Sequence, residues 1–236
     1  MKKIHIQYNT DIISKDLSEH YNALATNIQF LGKDIKTIAF SSVQPNEGKS
    51  TVTMNLSKAL AELGYKVLLI DADTRKSVLA ARFRVEGGKI EGLTSYLSGN
   101  TDIENIIYAT DIPNFTIIPA GKVPPSPLSL IQNPNFELML GAFRKYYDYV
   151  IVDTPPVGAV IDAAIIAQKC DGSVLITESG AIKRKFVKKA IEQLQSSGSK
   201  FLGTVLNKVD IESSHYGGYG AYGVYGKYGE RVENED

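Results

Sequence analysis

The sequence predicts an α/β fold in which helices cover both faces of a mostly parallel central sheet. Continuous apolar runs recur along the chain, as at residues 66–70 and 149–152, and such runs are typical of strands buried on both faces of a parallel sheet. Segments with apolar residues at helical spacing occur along the chain as well, as at 14–31 and 135–147, and indicate helices with one buried face. This alternation favours repeated βα units.

The same patterns place the individual elements. Helices are expected at residues 14–31, 50–64, 92–99, 135–147, 162–169 and 183–196, and strands at 37–40, 66–70, 115–118, 149–152, 173–177 and 201–206. The proline-rich stretch 123–127 is expected to be a rigid turn. Because 236 residues suit one core, we expect one domain over residues 1–211 and a flexible tail over residues 212–236.

Composition excludes several classes of protein. Lysine and arginine total 26, as do aspartate and glutamate, so no overall basic field favours nucleic-acid binding. Cys170 is the single cysteine, which rules out an intramolecular disulfide, and its apolar context predicts a small buried side chain. The N-terminus lacks the apolar core of a signal peptide, and the most apolar window, 157–167, is too short to span a bilayer. We expect a cytoplasmic protein that reaches the inner face of the membrane only through a partner.

A phosphate-binding loop is predicted at residues 41–51, SSVQPNEGKST, between a strand and a helix. Gly48 would let the backbone approach phosphate, Lys49 would reach the β and γ phosphates, and Ser50 would hold Mg²⁺. The match to G-x-x-x-x-G-K-[ST] is incomplete, because the first glycine would fall at Val43. A bare G-K-S is common in proteins, so the strand before it and the helix after it carry this interpretation.

Carboxylates follow two other predicted strands. Asp71 and Asp73 come directly after the run 66–70, and Asp153 follows 149–152. A polar turn would explain each of these positions alone. Because ligands bind at the carboxyl ends of strands in open α/β sheets, the carboxylates are expected to orient the metal of a nucleotide, with Asp153 as the Walker B residue.

Residues 207–210, NKVD, leave the choice of base open. This is the N-K-x-D motif that reads guanine in GTPases, but a GTPase would also carry D-x-x-G, whereas Asp153 is followed by Thr154 and two prolines. We therefore favour adenine and keep Asn207 as a candidate for base contact.

The tail carries a tyrosine every three residues, each followed by glycine: Tyr216, Tyr219, Tyr222, Tyr225 and Tyr228. Such a segment has no continuous apolar face and is expected to be flexible. Two interpretations remain open on composition alone: an adhesive tail without chemistry, or a substrate that reaches a nearby active site.

Together, the loop SSVQPNEGKST, the motif LLIDADTR, the strand VIVDTPP and the tail tyrosines resemble the bacterial tyrosine kinases of capsular and exopolysaccharide biosynthesis, in particular the streptococcal-type capsular autokinases. The resemblance implies a P-loop fold and an enzyme that uses ATP and Mg²⁺ to phosphorylate its own tail tyrosines. It also implies activation by a transmembrane polysaccharide chain-length adaptor, reversal by a tyrosine phosphatase, and self-association.

The resemblance also implies site residues. Lys49 would stabilise the transferred phosphoryl group, Ser50, Asp71 and Asp153 would serve the metal, and Asp71 or Asp73 would help to deprotonate the tyrosine. The expected nucleotide contacts are Gln44, Asn46, Glu47, Gly48, Lys49, Ser50, Thr51 and Asn207, and the expected phosphorylation sites are the five tail tyrosines.

Two departures from related patterns matter. The partition and division ATPases of the ParA and MinD type carry a lysine where this chain has Gln44, which weakens the alternative of a nucleotide-switched ATPase with an interaction tail. Many tyrosine-kinase relatives carry E-x-x-R-x-x-R in the first helix and form rings, whereas here Glu19 is followed by Asn22 and Ala25. The ring cannot be carried over, so the size of any self-assembly stays open.

Overall fold

The computed structural model describes residues 2–6, 15–79, 83–85 and 90–210. The predicted tail, with its five tyrosines, lies outside these residues. The described strands are β1 (Lys2–Ile6), β2 (Thr37–Ser42), β3 (Val67–Asp71), β4 (Phe83–Val85), β5 (Tyr108–Ala109), β6 (Phe115–Ile118), β7 (Tyr149–Asp153), β8 (Gly172–Glu178) and β9 (Phe201–Asn207). The described helices are α1 (Lys15–Gln29), α2 (Lys49–Glu62), α3 (Leu93–Leu97), α4 (Pro127–Gln132), α5 (Pro134–Tyr146), α6 (Asp162–Gln168) and α7 (Arg184–Ser196), with a 3₁₀ turn at Ile103–Asn105.

The described strands form one sheet in the order β4-β1-β5-β6-β3-β7-β2-β8-β9. The six strands from β6 to β9 in this order are parallel to their neighbours. At the other end, β5 runs antiparallel to β6, and β4 runs antiparallel to β1. The predicted mostly parallel α/β sheet is confirmed.

Helices cover both faces because the central strands are apolar on both sides. Along β3, Leu68 and Ile70 pack into one apolar cluster with residues of α3 to α7, while Val67 and Leu69 pack into a second cluster with residues of α1 and α2. All five residues of β3 are buried. Burial on both faces is the reason why these strands appear as unbroken apolar runs in the sequence.

Four strands and helices were not predicted: β1, β4, β5 and α4. Strands β4 and β5 have three and two residues, too short to show a period of their own. Helix α4 begins at Pro127, within the stretch interpreted as a turn, because proline is also favoured in the first turn of a helix. The predicted strand at 37–40 continues to Ser42.

Two smaller expectations can be compared with the described residues. Cys170 is partly buried and packs against the apolar core, where burial raises the pKa of its thiol. Within the described ranges, none of the helices combines the length and the apolar character that a membrane span requires.

Candidate active site

The site lies where three neighbouring strands end. Strands β3, β7 and β2 are adjacent in the sheet, and Asp71 is the register partner of Asp153. Asp153 is in turn the partner of Phe40 on β2, the strand that leads into the phosphate loop. Because the strands are parallel, both carboxylates and the loop meet at one edge of the sheet.

The loop depends on a glycine at position 48. Gly48 precedes α2 with φ of 85°, a left-handed conformation that costs glycine little. A Cβ at this position would overlap the side-chain amide of Asn207. That amide donates a hydrogen bond of 2.9 Å to the carbonyl of Glu47, so the end of β9 supports the loop directly.

Glu47 braces the loop from within. Its side chain is buried, and its two carboxylate oxygens accept hydrogen bonds from the backbone amides of Gln44, at 2.7 Å, and Glu178, at 3.1 Å. Lys208 bonds both the carbonyl of Asn46 and the carboxylate of Glu178. These bonds fix the loop conformation before α2 begins.

A buried ion pair joins the loop to β7. Nζ of Lys49 lies 2.7 Å from Oδ1 of Asp153, and Oγ of Ser50 lies 2.6 Å from Oδ2 of the same carboxylate. Asp153 is 1% exposed and Lys49 is 7% exposed. Burial raises the pKa of Asp153, while Lys49 and Ser50 oppose this rise.

Asp71 lies beneath the site and is fully buried. Its carboxylate accepts hydrogen bonds from the hydroxyl of Ser77 and from the backbone amide of Asp73. Burial, followed by repulsion from Asp153, raises the pKa of Asp71 to about 7. A carboxyl group in this setting holds its proton at a pH where an exposed aspartate is ionised.

An open cleft of about 450 Å³ adjoins these residues. Its lining brings together Asn46, Gly48, Lys49, Ser50, Thr51 and Asp73 from the predicted set, with Arg75, Lys76 and Lys208 as further cations. Of the other predicted residues, Asp71 and Asp153 lie buried beneath the site, Asn207 contacts the loop carbonyl, and Gln44 lines a different groove.

Arg75 and Asp162 form a pair at the cleft that the sequence analysis missed. The guanidinium donates to both carboxylate oxygens, at 2.7 and 3.1 Å, and Asp162 is 1% exposed. Arg75 is the last residue of the motif LLIDADTR, and its place in that motif could have identified it as a site residue. Its partner lies 87 residues away in a helix whose first turn carried no such signal.

The oxygen donors fit Mg²⁺ of a bound nucleotide. Among the described residues there is no group of three or more His, Cys, Asp or Glu side chains that could enclose a metal. Mg²⁺ is usually held by one or two carboxylates together with phosphate oxygens and water. The hydroxyl of Ser50 and the carboxylate of Asp153, 2.6 Å apart, present this kind of open donor set beside the phosphate loop.

Comparison with known proteins agrees with this geometry. A family model described as an AAA domain matches residues 35–196. The chain is 53% identical over 204 residues to the tyrosine-protein kinase CpsD of Streptococcus agalactiae, covering 86% of this chain and 89% of that protein. It is 49% identical over 203 residues to CpsD of Streptococcus pneumoniae, with the same coverage. The chain belongs to the bacterial tyrosine kinases.

Solved structures share this fold. The chimerical protein CapA2B2 superposes with a TM-score of 0.78 at 32% identity, covering 87% of this chain and 92% of that one. The septum site-determining protein MinD of Pyrococcus horikoshii, solved with Mg-ADP, superposes with a TM-score of 0.61 at 26% identity, covering 73% and 70% of the two chains.

The two residues of α1 that replace the arginines of E-x-x-R-x-x-R differ in their burial. Ala25, at the position of the second arginine in E-x-x-R-x-x-R, is completely buried in the cluster that joins α1 to the sheet. Asn22, at the position of the first arginine, is exposed. An arginine at position 25 would have to displace this packing.

Proposed function

We propose that this chain is an ATP-dependent protein-tyrosine autokinase that phosphorylates Tyr216, Tyr219, Tyr222, Tyr225 and Tyr228 of its own tail. The observation that carries the proposal is the contact of Lys49 and Ser50 with the carboxylate of Asp153 at the floor of the cleft. This group combines a cation for phosphate with oxygen donors for Mg²⁺, which are the main parts that phosphoryl transfer requires. The tail tyrosines supply the acceptors.

Each group of residues at the site has a separate role in this proposal. The loop amides and Lys49 would bind the β and γ phosphates of ATP, and Ser50, Asp153 and Asp71 would hold Mg²⁺ or its water ligands. Mg²⁺ would neutralise the charge that develops on the phosphates. Arg75, already oriented by Asp162, lies at the cleft as a further cation.

Transfer of the phosphoryl group to a tyrosine requires a base that accepts the phenolic proton. Asp73 lines the cleft, whereas Asp71 is fully buried beneath it, and this difference supports Asp73 over Asp71 as the base. A tyrosine hydroxyl has a pKa of about 10 and is a weak nucleophile at neutral pH. Asp73 would accept its proton as the phenolic oxygen bonds to the γ-phosphorus and ADP leaves.

Capsular or exopolysaccharide export is the process that this kinase would regulate. Two relatives at 49–53% identity are named as CpsD kinases, and family resemblance implies a transmembrane adaptor as activator, recruitment to the inner face of the membrane, an opposing tyrosine phosphatase and self-association. Tyrosine labelling with γ-labelled ATP, measured with and without the cytoplasmic segment of the adaptor, tests whether the adaptor activates the kinase.

The experiment is incubation of the full chain with γ-labelled ATP and Mg²⁺. Label on tyrosine that is lost in Lys49→Met supports the autokinase. Release of free phosphate without labelled protein, with or without the adaptor segment, supports instead the switch ATPase that the likeness to MinD suggests at the level of the fold. Competition by unlabelled ATP and GTP decides between adenine and guanine.

A further inference from the structure

The first turns of α7 carry a dense group of cations. Five exposed side chains lie within seven residues: Lys183, Arg184, Lys185, Lys188 and Lys189. Among the described residues the structure records an ion pair for Lys188, with Glu192 at 3.8 Å, and for none of the other four. We call these five residues the α7 cluster. In a protein without net charge they form a strong local positive field.

Three members of the α7 cluster, Lys183, Arg184 and Lys185, lie at the N-terminus of the helix, where cations are unfavourable. Cations near a helix N-terminus oppose the helix dipole, and the first turn of α7 contains no acidic residue. The helix is anchored from its other side, where Ala190 and Leu194 are buried. An arrangement that costs stability without serving the core points to an anionic partner.

A groove of about 510 Å³ runs beside the cluster. Val43, Ile182 and Ala190 give it apolar walls, and Lys183 and Lys189 supply cations along it. The remaining lining residues are Gln44, Gly158, Ala181, Phe186 and Gln193. We call this site the α7 groove. It shares no lining residue with the nucleotide cleft.

The chemistry of the α7 groove fits an aromatic ring that carries an anion. Apolar walls receive a ring, and Phe186, which is 48% exposed and has Nζ of Lys185 5.0 Å from its ring centroid, can pack against it. Lysine ammonium groups bind phosphate as point charges. A bilayer is a flat surface, whereas this site is a groove, so its shape favours an enclosed ring over a membrane.

We propose that the α7 groove binds phosphotyrosine of the C-terminal tail, an inference that rests on the proposed autokinase function. Residues 211–236 contain five acidic residues against Lys227 and Arg231. Each phosphate adds about −1.5 to −2 charges at neutral pH. Charge complementarity with the α7 cluster therefore appears mainly after phosphorylation, so the groove selects the modified tail.

The tail is long enough to reach the groove from its starting point. Nζ of Lys208 lies 2.9 Å from the carbonyl of Asn46, and Gln44, two residues earlier in the same loop, lines the groove. A segment of 26 residues spans about 85 Å when extended. Docking there removes the product from the cleft and leaves the nucleotide site open for the next turnover.

Fluorescent peptides test the inference directly. Peptides of sequence 211–236 carrying five phosphotyrosines, five tyrosines or five glutamates at the same positions are titrated with the phosphatase-treated full chain, and binding is followed by anisotropy. We expect the phosphopeptide to bind about tenfold or more tightly than the other two, and less tightly as salt rises. Equal affinity of the three peptides overturns the proposal.

Matched variants locate the binding site. Lys183→Gln with Lys189→Gln should weaken phosphopeptide binding about tenfold or more, whereas Lys183→Arg with Lys189→Arg should retain it. Lys33→Gln with Lys145→Gln removes the same charge from exposed positions elsewhere and should have little effect. An equal loss of affinity in this control overturns the proposal. The proposal also fails if phosphatidylglycerol vesicles or duplex DNA bind more tightly than the phosphopeptide and that binding depends on Lys183 and Lys189.

The peptides are synthetic, so their binding does not depend on kinase activity. Phosphopeptide binding without tyrosine labelling, with or without the adaptor segment, would contradict the autokinase and would still show that the groove binds phosphotyrosine. Tyrosine labelling without phosphopeptide binding would leave the autokinase intact and remove the groove.

Discussion

Nζ of Lys49 lies 2.7 Å from Oδ1 of Asp153, and both side chains are almost completely buried. One residue opens the helix after the phosphate loop and the other ends β7, 104 residues away. A buried carboxylate is costly unless it is paired. The ion pair with Lys49 therefore offsets the cost of burying Asp153 at the sheet edge.

This pair should show strong energetic coupling. Lys49→Met leaves Asp153 buried without a cation and should lower the free energy of unfolding by about 3 kcal/mol or more at neutral pH. In a double-mutant cycle with Asp153→Asn, followed by urea denaturation without nucleotide, the double variant should lose less than the sum of the two single variants, by about 1–3 kcal/mol.

An exposed ion pair provides the control for that cycle. Lys188 and Glu192 lie 3.8 Å apart on α7, with side chains 78% and 59% exposed, and their coupling should be about 0.5 kcal/mol or less. Additive effects at Lys49 and Asp153, within the same small range, would contradict the account of the buried pair.

Asp71 should make stability depend on pH. Its pKa is raised to about 7 in the folded protein, whereas an unfolded aspartate has a pKa of about 3.9. The folded state therefore binds more protons between these values, so the stability that protonated Asp71 contributes is complete below about pH 4 and is lost as the pH rises through 7.

The variant Asp71→Asn should remove this dependence. We expect it to be more stable than the unmodified protein at pH 8, on the order of 2–4 kcal/mol, with a smaller difference at pH 5. Urea denaturation at the two pH values measures both. The variant Asp102→Asn removes an exposed carboxylate and is the control, and a difference for Asp71→Asn that does not change with pH would refute the assignment.

Gly48 should tolerate no side chain. Gly48→Ala combines a left-handed backbone with an overlap with Asn207, so we expect the free energy of unfolding to fall by more than about 2 kcal/mol and ATP affinity to fall with it. Gly64 also has a positive φ, of 92°, but open space around it, so Gly64→Ala should cost about 1 kcal/mol.

The variant Asn207→Ala separates the two expected costs of Gly48→Ala, which are the backbone strain and the overlap with Asn207. In Asn207→Ala the overlap is relieved while the backbone strain remains, and Gly48→Ala should then cost about as much as Gly64→Ala. If Gly48→Ala is equally costly in both backgrounds, the contact with Asn207 does not govern the loop.

Asp73 should affect the rate of tyrosine phosphorylation more than the stability of the fold. Asp73→Asn removes the carboxylate that lines the cleft and should lower the rate of tyrosine labelling about 10²- to 10⁴-fold without abolishing ATP binding. Labelling at saturating ATP, with ATP affinity measured separately, distinguishes this loss from weaker binding. A labelling rate within a few fold of the unmodified protein would exclude Asp73 as the base.

Residues that lie close in sequence were predictable, and contacts across the chain were not. The apolar runs before Asp71 and Asp153 revealed both strands and the edge at which they end, because burial on two faces leaves a continuous pattern. Strands β4 and β5 left no pattern, since two or three residues that pair at the sheet margin depend on neighbours far along the chain.

The site shows the same division. Lys49 and Ser50 were visible in the loop motif, and the structure brings both onto Asp153. The pairing of Arg75 with Asp162 depends on tertiary geometry that no local spacing encodes. Asn207 was interpreted as a base contact from its motif, whereas in the structure its side chain bonds the carbonyl of Glu47, so base contact remains a prediction.

Phosphate mapping on the full chain tests the central claim most directly. The protein is incubated with ATP and Mg²⁺, with and without the cytoplasmic segment of the adaptor, and modified residues are identified by mass spectrometry beside a variant with phenylalanine at the five tail positions. The account predicts phosphotyrosine at Tyr216, Tyr219, Tyr222, Tyr225 and Tyr228, and loss of most incorporated phosphate in the variant. Hydrolysis of ATP without phosphotyrosine under either condition, or equal incorporation in the variant, would contradict it.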